Sequence, residues 1–288
     1  MNSRKHLLVA ALVLALVSLA CGINLPVTNI QTGPTQTVEI QIPMPKQASD
    51  VVDLNLEFVA GELKLAPGAS AYLASGTAIF NVPEFEPKLE SSGVSYTLHP
   101  SELDIEGIPN FQDDVINKLD LQLANIPMNL DIKAGAYNGT LELGGLSLKK
   151  LAISEGGSDV KVAFSTPNHV EMSSFTYSTG GATVMLKGLA NANFEQMTLA
   201  SGAGTYTLDF AGTLLRDASV KIESGAATVN IIVPQGVNAN LTFDGSLTSV
   251  NVSGAWKKDG NVYSLRGSGP TLTITVKMAA GTLDLQTE

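Results

Sequence analysis

From Val38 onward the chain alternates apolar and polar residues, as in Val38/Ile40/Ile42, Val52/Leu54/Leu56/Phe58 and Leu63/Leu65. A period of two sends successive side chains to opposite faces, so these segments are predicted strands with one buried face. The single helical element predicted is one turn over Phe111 to Lys118. Asp113 and Asp114 stand near its start, where carboxylates complement the helix dipole.

The second half of the chain repeats itself. Leu130-Asp131-Ile132-Lys133-Ala134-Gly135 aligns with Leu151-Ala152-Ile153-Ser154-Glu155-Gly156 and with Phe175-Thr176-Tyr177-Ser178-Thr179-Gly180. Met197-Thr198-Leu199-Ala200-Ser201-Gly202 and Val220-Lys221-Ile222-Glu223-Ser224-Gly225 continue the series, at steps of 21, 24, 22 and 23 residues. After each glycine comes a second alternating strand: Val160/Val162/Phe164, Val184/Leu186, Tyr206/Leu208/Phe210 and Val229/Ile231/Val233. Weaker echoes are Phe58-Val59-Ala60-Gly61 and Met278-Ala279-Ala280-Gly281. A unit of this kind cannot bury its apolar stripe alone, so neighbours must stack into a continuous core.

The fold expected is therefore all-β, a repeat-containing β-solenoid (parallel β-helix). The glycine is expected at the turn between two strands, where it adopts φ > 0 without steric cost. An antiparallel β-sandwich, with each strand–Ser-Gly–strand unit a hairpin, is the alternative. The near-constant repeat spacing favours the solenoid.

The N-terminus has a different pattern. Arg4 and Lys5 precede an unbroken apolar run from Leu7 to Val17, and Ser18-Leu19-Ala20-Cys21-Gly22 closes it with small residues. A run this short after a basic start is a secretory leader and not a membrane-spanning helix. Cys21 is the only cysteine. At a cleavage site and without a disulfide partner, it is expected to accept a lipid, Ser18-Leu19 being a permissive form of the lipobox. Residues 1–20 then form a lipoprotein signal peptide. Residues 21–37, rich in Pro, Thr and Gln, form a tether; 38–125 form an N-terminal β region, and 126–288 the solenoid repeats. The expected location is extracytoplasmic, lipid-anchored to the bacterial cell membrane.

Charge narrows the partners. Loss of Arg4 and Lys5 with the leader reduces 17 basic residues to 15 against 27 acidic ones, a net charge of −12. Nucleic acid and anionic lipid headgroups both call for basic patches, so neither is expected as a partner. Only 15% of residues are charged, against about 25% in ordinary soluble domains, with Thr, Ser, Asn and Gly filling polar positions.

Catalytic constellations do not emerge. His99 and His169 each stand without a second His or Cys at ligand spacing, so no metal or cofactor is expected. Gly202-Ala203-Gly204 leads into the strand Thr205-Tyr206-Thr207-Leu208, whereas a phosphate loop needs a following helix. If the repeats stack, Asp159, Thr183, Thr205 and Thr228 form one outward row, and Lys161, Met185, Thr207 and Asn230 the next. Neither row pairs carboxylates on adjacent rungs, as a glycosidase would need. Asp209 and Glu223 qualify only by being acidic. The candidate binding face is Asp159, Thr183, Thr205, Thr207, Asp209, Thr228 and Asn230.

The segments Leu54-Asn55-Leu56-Glu57-Phe58-Val59-Ala60-Gly61-Glu62-Leu63, Ser75-Gly76-Thr77-Ala78 and Phe80-Asn81-Val82-Pro83-Glu84-Phe85 carry a further signal. With Pro127-Met128-Asn129-Leu130, Leu186 to Phe194 and Thr207 to Gly212, they resemble the bacterial toast-rack domain family of unknown function. That family is similar to the extracytoplasmic part of the cell-wall-stress regulator LiaF and to candidate adhesins built as β-helices. The resemblance spans nearly all of residues 38–250 and implies a solenoid without conveying an activity. The expected function is a non-catalytic surface lipoprotein acting as an interaction, adhesion or envelope-sensing module, its partners a cell-wall glycan or an envelope protein. The alternative is a carbohydrate-active enzyme, a polysaccharide lyase or glycosidase, using an outer face of the β-helix.

Overall fold

The computed structural model describes residues 27–29, 31–46, 51–101, 108–110 and 115–288. Cys21, Asp113 and Asp114 lie outside the described residues. In chain order the strands are β1 (Val27–Asn29), β2 (Gln36–Ile42), β3 (Val52–Ala69), β4 (Ala74–Phe80), β5 (Pro87–Ser92) and β6 (Ser95–Pro100). There follow β7 (Ile108–Asn110), β8 (Asn117–Ala124), β9 (Pro127–Glu142), β10 (Ser147–Ala163), β11 (Met172–Lys187) and β12 (Phe194–Asp209). The last are β13 (Ala218–Val233), β14 (Asn238–Val252), β15 (Lys257–Asp259), β16 (Val262–Leu265) and β17 (Thr271–Thr287).

The repeats stack in register as parallel rungs. Leu130 pairs with Leu151, Leu151 with Phe175, Phe175 with Met197 and Met197 with Val220. A sandwich would fold the two halves of one repeat against each other, antiparallel. Here each half pairs instead with the same half of the neighbouring repeat, which decides for the solenoid. The stack runs β3-β9-β10-β11-β12-β13-β17-β14. Both echoes are rungs of it: Phe58 pairs with Ala134 and Met278 with Ser224.

Within a rung the buried positions switch parity at the glycine. In β12 they are Met197 and Leu199 before it and Tyr206 and Leu208 after it; in β13 they are Val220 and Ile222, then Val229 and Ile231. The chain thus turns a corner while both halves keep facing one core, and columns such as Leu54-Leu130-Leu151-Phe175-Met197-Val220-Ile274 fill it. The third side of the coil is loop. Asn168 is buried there, its Oδ1 accepting from Leu148 N–H and its Nδ2 donating to the carbonyls of Leu148 and Val170. Those bonds satisfy backbone groups that the strands leave behind.

The corner glycines differ from expectation in their reason. Gly135, Gly156, Gly180, Gly202 and Gly225 do not have positive φ. Gly135, Gly180, Gly202 and Gly225 are required by close approach: a Cβ on Gly180 would lie 2.8 Å from Gly156 O, and one on Gly202 would lie 2.3 Å from Gly180 O. Positive φ falls a little later, at Gly61, Gly204 and Gly281.

The two ends of the stack are built differently. Before β3, β6 pairs with its first half and β8 with its second, making a split rung. Antiparallel β5 lies beyond β6, and antiparallel β4 and β2 lie beyond β8. The expected helical turn over Phe111 to Lys118 is corrected at its end, where Asn117 and Lys118 open β8, while residues 111–114 lie outside the described residues. Asn117-Lys118-Leu119-Asp120-Leu121 has strand period, and pairing with Glu62–Leu65 buries Leu119 and Leu121. Within the stretch expected as a tether, β1 pairs with β7 and β2 begins at Gln36. At the far end β17 inserts between β13 and β14, and the β15–β16 hairpin lies against the start of β14.

Candidate functional site

The sequence-derived rows assemble as drawn. Asp159 pairs with Thr183, Thr183 with Thr205 and Thr205 with Thr228, and the row continues to Thr282 and Ser249. Lys161, Met185, Thr207 and Asn230 form the neighbouring row, which runs on to Asp284 and Asn251. Side chains bond along these rows, Asn230 Nδ2 donating to Thr207 Oγ1 at 3.2 Å and Asn251 Nδ2 to Asp284 Oδ1 at 2.7 Å. Asp209 stands apart. At the end of β12, its Oδ1 accepts from Ala211 N–H at 2.8 Å, so its carboxylate fastens the following turn.

A different surface has concave shape. On the other side of the glycine line an open trough of about 760 Å³ runs across the rungs from β10 to β14. Ser154, Ser178, Ser201, Ser224 and Ser246 line it from β10, β11, β12, β13 and β14, joined by Thr179, Glu155, Glu223 and Asp244, while the intervening β17 brings Lys277, Met278 and Ala279. None of the seven sequence-derived face residues lines it. The signal was present in the aligned repeats, where Ser154-Glu155, Ser178-Thr179, Ala200-Ser201 and Glu223-Ser224 precede the glycines. These small polar residues leave room above a backbone that is itself bare of side chains.

Charges alternate along one wall. Glu223 pairs in register with Lys277, and Lys277 with Asp244. Glu223 also meets Lys221 on its own strand at 2.9 Å. The backbones of Glu223 and Asp244 are thus two rungs apart, about 9–10 Å, with Lys277 on the rung between them.

Beneath the trough lies a buried polar knot. Glu155 is only 8% exposed, and its Oε1 accepts a hydrogen bond from Ser158 Oγ. Glu155 Oε2, Thr179 Oγ1 and the hydroxyls of Tyr137 and Tyr177 are buried without a protein hydrogen-bond partner. Burial first, and then the Glu155 charge, push the Tyr137 phenol well above its usual range. Burial does the same to Tyr177, with Tyr137 and Glu155 adding to it. Both phenols therefore stay neutral. Ser201 Oγ donates to Ser224 Oγ at 2.8 Å and continues the polar line toward β13.

The histidines serve local contacts. His99 Nδ1 lies 2.7 Å from Pro100 O and its Nε2 3.5 Å from Glu90, while His169 Nδ1 meets Asn125 Nδ2 at 2.8 Å. Among the described residues, no group of three or more His, Cys, Asp or Glu side chains could hold a metal ion. No described helix is long and apolar enough to cross a membrane.

Comparison with known proteins places this geometry. The family described as the N-terminal domain of toast-rack, DUF2154, matches residues 31–180, just over half of the chain. No curated protein matches. The fold is similar to the crystal structure of a candidate cell adhesion protein from Clostridium sporogenes, with a TM-score of 0.51 and 16% identity, covering 88% of this chain and all of that one. A candidate adhesin from Bacteroides fragilis is 10% identical over 90% of this chain and 99% of its own, at a TM-score of 0.36. The first likeness supports the solenoid alone, and the second is too distant to add to it.

Proposed function

The chain belongs to the toast-rack family, and from that premise we propose that it is a non-catalytic adhesion-type module of the cell envelope. It is held to the bacterial membrane by lipid at Cys21 and binds an extended, hydroxyl-rich ligand such as a cell-wall glycan. The observation that carries this reading is the trough, with a serine hydroxyl on each of the four consecutive rungs β10, β11, β12 and β13 and again on β14, beyond β17. A groove that repeats with the strand spacing suits a polymer that repeats too, and not a single small molecule. The polar rows from Asp159 to Thr228 and from Lys161 to Asn230 offer a second repetitive surface across the glycine corner. With a net charge of −12 once the leader is lost, neutral or cationic ligands are favoured over anionic ones.

Each hydroxyl contact is worth about 0.5–1.5 kcal/mol. Ser178→Ala alone is therefore expected to weaken retention on isolated cell-wall polysaccharide by only a few-fold. Ser178→Ala, Ser201→Ala and Ser224→Ala combined are expected to abolish it at the same protein concentration. Retention unaffected by the triple change would remove the trough from the reading. The second reading, a carbohydrate-active enzyme, draws on Glu223 and Asp244 sharing one wall. Polysaccharide turnover that disappears in Glu223→Gln would establish it instead.

Anchoring is tested separately. Two or more acyl chains hold a protein stably on a bilayer, so the mature lipidated parent is expected in the detergent phase on partition and a Cys21→Ala chain of residues 21–288, without the apolar leader, in the aqueous phase. Equal partition of the two would refute lipidation.

A further inference from the structure

We infer that the free edge of β14 pairs with the same edge of a second copy, antiparallel across a two-fold axis. This goes beyond the proposed ligand binding and does not depend on it. On its inner side β14 pairs with β17 along its full length, from Asn238 to Val252. On its outer side β16 covers only Ala239 to Thr242, and the last bond there runs from Phe243 N–H to Asn261 O. From Asp244 to Val252, no strand lies on the outer side among the described residues.

This edge is not protected as the others are. The β5 edge at the opposite end carries Pro87, Lys88 and Glu90, residues that discourage strand addition. The segment Gly245-Ser246-Leu247-Thr248-Ser249-Val250-Asn251-Val252-Ser253 has no charge and no proline. Leu247 is 80% exposed and Val252 43% exposed within it. An unblunted edge with exposed branched residues is a template for pairing.

Two features select a second copy as the occupant. The first is charge. The chain carries a net −10, so two copies repel except through an uncharged surface, and antiparallel self-pairing sets this uncharged run against itself. The second is shape. The β15–β16 hairpin projects two strands beyond the first half of β14 and leaves the second half recessed. A two-fold axis places one recessed half against the other, with each hairpin beyond the end of the partner's β14. Parallel pairing would instead drive the two hairpins into the same space. The contact is isologous, so it closes at a dimer and does not propagate.

The test is sedimentation velocity of the full chain in a mild detergent, up to about 100 µM. The parent is expected to sediment as a dimer, and more tightly as salt screens the net charge. Leu247→Lys places a solvated cation on the edge. It is expected to weaken dimerisation at least about tenfold with thermal stability unchanged, because the side chain it replaces is exposed. Met185→Lys, on the outward row away from the edge, is expected to leave the dimer intact. A monomeric parent at the highest concentration, whether or not another protein adds to the edge, would overturn the inference. So would a Leu247→Lys chain that dimerises as tightly as the parent, or a Met185→Lys chain that dissociates equally.

Discussion

Gly281→Ala is expected to destabilise the protein by about 3 kcal/mol or more, because two independent penalties meet at that residue. Its φ is +121°, a backbone conformation that residues with a Cβ rarely adopt. The added Cβ would also stand 1.8 Å from Ala227 O and 2.8 Å from Ala227 C. Backbone on the neighbouring rung cannot rotate away as a side chain can, so β17 must move off β13. Since β17 is also the only full-length partner of β14, the end of the stack loosens with it. Gly202→Ala brings the steric term alone, with its Cβ 2.3 Å from Gly180 O, and is expected to cost about 1–3 kcal/mol. Gly93→Ala brings the φ term alone, at +64° with open space around it, and is expected to cost least, about 1 kcal/mol. Urea unfolding of the three variants checks the order. A Gly281→Ala chain no less stable than Gly93→Ala would show that the rungs accommodate a methyl at the corner.

That ranking also shows what the sequence could and could not convey. The register of the five repeats was legible because a column of the core accepts only residues of one parity. Leu151, Phe175, Met197 and Val220 could be aligned by eye and are paired one on one. The glycines were legible as positions but not as causes. A repeated glycine after alternating residues is compatible with a positive φ or with a close approach, and only the neighbouring rung's carbonyl distinguishes them. The place of β17 was hidden for a related reason. Met278-Ala279-Ala280-Gly281 marks a rung, but nothing local says that it lies between β13 and β14 instead of after β14. The end of the expected helical turn is strand instead, because Asn117 and Lys118 share the alternation of Leu119 and Leu121, a strand period that needs β3 to bury it. The trough was missed because small polar residues before a glycine read as turn chemistry in one repeat. They become a lined groove only when several rungs are stacked. Chemistry spread over non-adjacent segments is legible only once the register is known.

Phe175→Ala is the second change with a large expected effect, and it examines how the stack shares its stability. Phe175 is fully buried, with Leu151 and Met197 as its neighbours in the column. Its ring meets that of Phe164 edge-on at a centroid distance of 6.1 Å. Removing a phenyl group from such a site costs about 3–5 kcal/mol, from lost burial and from the cavity left behind. In a stack each rung contacts only its neighbours, so the loss is passed first to β10 and β12, which share the widened column with β11. Amide hydrogen exchange is expected to show the largest loss of protection in β10, β11 and β12. β17, beyond β13, and β3, beyond β9, should keep most of theirs. The polar knot sharpens the test, because Tyr177 is the next inward residue after Phe175 on β11 and Glu155 pairs with Thr179 two residues further on, so both depend on the same packing for their burial. Equal loss of protection from β3 to β17 would mean that the solenoid unfolds as one cooperative unit, and the nearest-neighbour account of its stability would have to be given up.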